Sequence, residues 1–84
     1  MREVVYQNEY AKVIKINENE YEVHTLSVRD EDGIIAKDWN FNCLYTNHYS
    51  RDWLGHTYSN HYNPQGLKNF AYEMAMKQAK NYEK

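Results

Sequence analysis

The chain predicts a small α+β domain, an antiparallel meander of three to four strands with one C-terminal α-helix packed on a face. Three observations carry this. β-Branched and aromatic residues gather in short runs at 10–17, 21–29 and 34–45. Turn residues separate those runs too closely for a parallel crossover. After Pro64 the apolar residues recur at three and four, the spacing of a helix lying on a surface. Eighty-four residues make a single domain, 1–84, with room for one modest core.

Taken in order, Glu3–Tyr6 is a short apolar run and Tyr10–Asn17 reads as a strand, because Val13, Ile14 and Ile16 crowd its second half. A helix over Val4–Ile14 is the alternative, since Tyr6, Tyr10 and Ile14 are four apart. Asn17-Glu18-Asn19 is a turn. Tyr21–Arg29 returns as a strand whose apolar face slips midway, from Tyr21 and Val23 to Leu26 and Val28. A bulge near His24–Thr25 would reconcile the two halves. Asp30–Gly33 closes a hairpin, with Gly33 free to take a positive φ.

The next strand alternates most regularly. Ile35, Trp39, Phe41, Cys43 and Tyr45 fall on one face, which is therefore the expected core face. Past Tyr45 the period is ambiguous: Tyr45, Tyr49 and Trp53 are four apart, so Ser50–Gly55 reads as a short helix or turn and 56–62 as irregular. The last element is clearly marked, with Asn63 as N-cap and Pro64 at the first helical position. Leu67, Phe70, Ala71, Met74, Gln78 and Tyr82 form its inward stripe, and Lys77, Lys80 and Lys84 suit the negative end of its dipole.

Composition narrows the class. Fifteen Val, Ile, Leu and Phe residues are few for 84, yet the net charge is only −2 and nine Tyr and two Trp supply amphipathic rings. That balance favours a small soluble domain over disorder. The charge is uneven, at −4 over residues 1–32 and +2 over residues 67–84. No apolar run reaches the length of a membrane span, the N-terminus lacks a signal-peptide core, and Cys43 is the only cysteine, so a cytoplasmic setting is expected. Ten Asn and seven Lys beside the nine Tyr, against three Gly and one Pro, point to an AT-rich coding sequence of a low-GC bacterium or its phages.

The most unusual stretch is Leu44–Gly66, which holds three of the four histidines, five of the thirteen aromatics and only two charges, Arg51 and Asp52. Asn-His-Tyr occurs in it twice, at 47–49 and 60–62. Cys43, His48, His56 and His61 have four, seven and four residues between them, which matches no standard zinc site, so no metal or cofactor is expected. Cys43 with a histidine, or His48 with Asp52, could be drawn as catalytic pairs. No phosphate loop, nucleophile elbow or carboxylate pair accompanies them, and the expectation is a chain that is not an enzyme.

Trp39, Phe41 and Tyr45 have the spacing of base-stacking rings on a sheet, which makes nucleic-acid binding the alternative; the acidic net charge weighs against it. Few Lys or Glu among many Tyr, Trp, His and Asn is the composition of a protein interface. The leading expectation is thus a small interaction factor, phage- or mobile-element-encoded, that binds or inhibits a host protein, or pairs with itself. Its contacts would be Tyr45, Tyr49, Trp53, Tyr58 and Tyr62 as anchors, with His56, Asn60 and His61 as polar partners.

Overall fold

The computed structural model describes residues 2–59 and 64–82. Among these residues six strands form one antiparallel sheet in the order of the sequence: β1 (Glu3–Gln7), β2 (Ala11–Asn17), β3 (Glu20–Glu31), β4 (Ile34–Thr46), β5 (Tyr49–Asp52) and β6 (Thr57–Ser59). One helix, α1 (Pro64–Tyr82), packs on β2, β3 and β4. The class is the α+β meander that the apolar periodicity implies, with two strands more than the expected maximum of four. Val4–Ile14 is not a helix, because β1 and β2 fold back on each other there. Asn8 makes that reversal, its Oδ1 accepting from Tyr10 N at 3.0 Å and Ala11 N at 2.8 Å. The expected N-cap Asn63 lies outside the described residues, and no described helix is long and apolar enough to cross a membrane.

The core lies between sheet and helix. Ala11, Val13, Tyr21, Val23, Cys43 and Tyr45 face Leu67, Ala71 and Ala75. These three helix residues, four apart, are fully buried, and the two alanines let the backbone approach the sheet closely. Phe70 and Met74 flank them as the periodicity implies; Tyr72 joins them unexpectedly. Its ring is 5.0 Å from that of Tyr6, and its hydroxyl donates to Val5 O at 3.0 Å, tying the helix to the first strand.

The uniform core face expected for residues 35–45 is not what forms. Val23 pairs with Cys43, but the next pair is His24 with Phe41, so Asn42 is an extra residue in β4. This bulge turns Phe41 and Trp39 to the face opposite Cys43 and Tyr45. The irregularity expected in β3 near His24 therefore belongs to the neighbouring strand. β3 alternates without interruption and its apolar residues change sides: Tyr21 and Val23 meet the helix, whereas Leu26, paired with Trp39, looks away from it.

The register of β2 with β3 ends at Thr25, Leu26 N still donates to Tyr10 O at 2.9 Å, and beyond Leu26 β3 pairs only with β4 among the described residues. The resulting two-stranded ribbon lengthens the molecule to 45 × 27 × 24 Å. It closes on Asp32 and Gly33, with φ of 54° and 81°, the double positive φ that suits a two-residue hairpin turn. Ile34 and Ile35 at its end are 70% and 65% exposed, so Ile35 is not core.

Candidate functional site

Between Tyr45 and Ser59 the chain makes two tight reversals rather than a helical turn. At the first, Thr46 Oγ1 accepts from His48 N at 3.2 Å and Tyr49 N at 3.0 Å and donates to Tyr49 O at 2.8 Å. Asn47 Nδ2 reaches across to Asn19 Oδ1 at 2.7 Å, joining this turn to the one between β2 and β3. That contact gives the first Asn-His-Tyr a physical role; the second lies outside the described residues. At the second reversal Asp52 is the organiser. Its Oδ1 accepts from Leu54 N at 3.0 Å and His56 N at 2.9 Å, while Oδ2 accepts from Tyr58 OH at 3.2 Å. Gly55 supplies the positive φ of 88° that the turn needs.

The electrostatics follow from those bonds. Partial burial pushes the Asp52 carboxyl up, but the amides of His56 and Leu54, the Tyr58 hydroxyl and the nearby His56 ring outweigh it, leaving the carboxyl below its ordinary range. The same hydrogen bond raises the Tyr58 phenol. His56 Nδ1 stands 3.7 Å from Asp52 Oδ2, too far for a hydrogen bond. Burial raises the Cys43 thiol, whose Sγ sits 3.7 Å from Leu44 O, as in an inert core cysteine.

The residues expected to form an interface part company here. Tyr45 is core: it is 4% exposed, pairs with Tyr21, and meets Phe70 edge to face at 5.2 Å. It cannot serve as a surface anchor. Tyr49, Trp53 and Tyr58 are 39%, 67% and 54% exposed, and His56 is exposed beside them. Leu54, 59% exposed, completes the group, although a lone leucine carries no signal of its own in the sequence. Asn60, His61 and Tyr62 lie outside the described residues. Among the described residues no three His, Cys, Asp or Glu side chains come together as a metal site would require.

A second set of polar and aromatic groups occupies the face that α1 leaves open. Glu22 sits at its centre, with Arg2 Nη2 donating to Oε1 at 2.6 Å and His24 Nε2 at 2.9 Å from the same oxygen. Burial pushes the Glu22 carboxyl up, and its bonds to Arg2 and His24 more than reverse this. The His24 ring meets Phe41 edge-on at 5.9 Å, and Lys12 Nζ lies 4.6 Å above the ring of Trp39. Between them Ile14, Leu26 and Leu44 are buried by their neighbours on the same face, although no described element lies over them.

Comparison with known protein families, curated proteins and solved structures finds no match to this chain.

Proposed function

We propose that the chain is a non-catalytic protein-binding domain whose β5–β6 hairpin supplies the contact surface. One observation carries this reading: Tyr49, Trp53, Leu54 and Tyr58 stand exposed within ten residues on a hairpin that Asp52 holds in shape. Aromatic side chains on a fixed turn bury large areas at small conformational cost, the pattern of interface hot spots. Each end of the hairpin is braced by side-chain hydrogen bonds to backbone, so the rings are presented and not merely left over. The Asn- and Tyr-rich, Gly-poor composition suits a phage or mobile-element factor acting on a host protein.

The test is capture from the source organism's lysate by the immobilised chain and by Tyr49→Ala, Trp53→Ala and Tyr58→Ala, each first shown to be folded by circular dichroism. A defined protein retained by the parent and lost with Trp53→Ala is expected. Equal retention by all four would sink the assignment to this hairpin.

A further inference from the structure

We infer that the open face of the sheet binds single-stranded nucleic acid, at a site that takes Arg51 from β5 but not the exposed Trp53 and Leu54 of the hairpin tip. The charge balance of this face differs from that of the whole chain. By register Lys12, Lys37 and Arg51 all lie on it, beside His24, Trp39 and Leu44 respectively, while Glu20 and Asp30 fall on it near the two ends of β3. Among the described residues none of these three cations pairs with a carboxylate. Glu22 is already compensated by Arg2 and His24. With Glu22 compensated, Lys12, Lys37 and Arg51 stand against Glu20 and Asp30, so an acidic chain keeps a net positive charge on the face that α1 leaves open, and a polyphosphate strand is its complement.

The rings add the second half of a binding platform. Trp39 and Phe41 are two residues apart on β4, hence about 7 Å along the strand, the pitch at which successive unstacked bases can each find a ring. Both are half-buried. Lys12 over Trp39 can exchange the ring for a phosphate when a base stacks there, so that cation and ring each gain a partner. The Asn42 bulge creates the arrangement; without it both rings would point toward the helix. A duplex offers no splayed bases to such rings, and a single strand does.

A fluorescein-labelled deoxythymidine oligonucleotide about twelve nucleotides long, with its uridine counterpart, is titrated with the full chain at about 50 and about 200 mM salt. Three phosphate contacts on a single strand predict an affinity loss of about 20-fold across that range, since each contributes a slope of about −0.7 in log salt. The double variant Lys12→Gln/Arg51→Gln, folded by circular dichroism, keeps one contact and loses only about 2.6-fold. Phe41→Leu preserves apolar volume and weakens binding about tenfold. In Trp53→Phe, where Trp39 is the only tryptophan, bound oligonucleotide quenches its emission.

Trp53→Ala leaves oligonucleotide affinity unchanged, which separates this site from the exposed tip of the hairpin. Absence of binding at the lower salt, a salt slope indifferent to Lys12→Gln/Arg51→Gln, or quenching confined to Trp53 in Trp39→Phe would each overturn the inference. So would sedimentation of the free protein as a dimer with Trp39 shielded, because a second copy would then own the face.

Discussion

Tyr45 and Trp53 come from one aromatic segment, and the fold assigns them opposite energetic roles. Replacing Tyr45 by Ala removes a ring that is 4% exposed and ends its edge-to-face contact with Phe70. Aromatic-to-Ala changes in a core cost about 3–5 kcal/mol, and the ring pair is included in that figure. A domain of this length has about 4–12 kcal/mol in total. The substitution therefore takes about a quarter or more of the stability and lowers the melting temperature by about 12 °C or more, at about 4–8 °C per kcal/mol. Trp53, 67% exposed, should change stability by no more than about 0.5 kcal/mol on replacement by Ala. Urea denaturation followed by far-ultraviolet circular dichroism measures both on one scale. Comparable losses in the two variants would refute the division of the segment into core and surface.

Three further outcomes follow from local geometry. Gly33→Ala meets no atom within 4 Å, so its cost is that of a left-handed backbone alone, about 1–2 kcal/mol; unchanged amide exchange in the β3–β4 ribbon would contradict the turn assignment. Asp52→Ala removes the acceptor of Leu54 N and His56 N, so these two amides should exchange with solvent faster while those of Val13 and Val23 keep their rates. Glu22 has a folded-state pKa below its unfolded value of about 4.3, so it contributes stability above that pH and loses it as the pH falls through the folded value. Glu22→Gln should thus flatten the acid limb of the stability curve below pH ~4.3; an unaltered limb would show that Arg2 and His24 do not hold the carboxylate.

The parts of the fold that sequence reasoning reached are those governed by local pattern. Pro64 opens the helix and Leu67 and Ala71 mark its buried stripe, because 3.6-residue spacing needs no knowledge of the partner surface. The Asp30–Gly33 hairpin was legible for a similar reason, since a positive φ at Gly33 is a property of one residue. What escaped depends on cross-strand register. Nothing in the letters around Asn42 announces an extra residue, yet that residue decides whether Trp39 and Phe41 are core or surface. Tyr45, Tyr49 and Trp53 mimic a helical period because two tight reversals happen to recur every few residues. The side chains that make those reversals, Thr46 and Asp52, bond to backbone two to four residues away and leave no periodic trace. The open-face cluster was missed because Arg2, Glu22 and His24 meet only through pairing of distant strands.

The strand order has a consequence for how the chain acquires its shape. Every strand pairs with the one made just before it, so the sheet can zip from hairpin to hairpin while loop closures stay short. Among the described residues the helix reaches furthest back, where the Tyr72 hydroxyl meets Val5 across 67 positions. During synthesis the face carrying Val13, Val23 and Tyr45 must therefore wait for the last quarter of the polypeptide before Leu67, Ala71 and Ala75 can cover it. In that interval the nascent sheet exposes apolar groups on the helix side, and it is then that a chaperone or a premature stop would have its greatest effect.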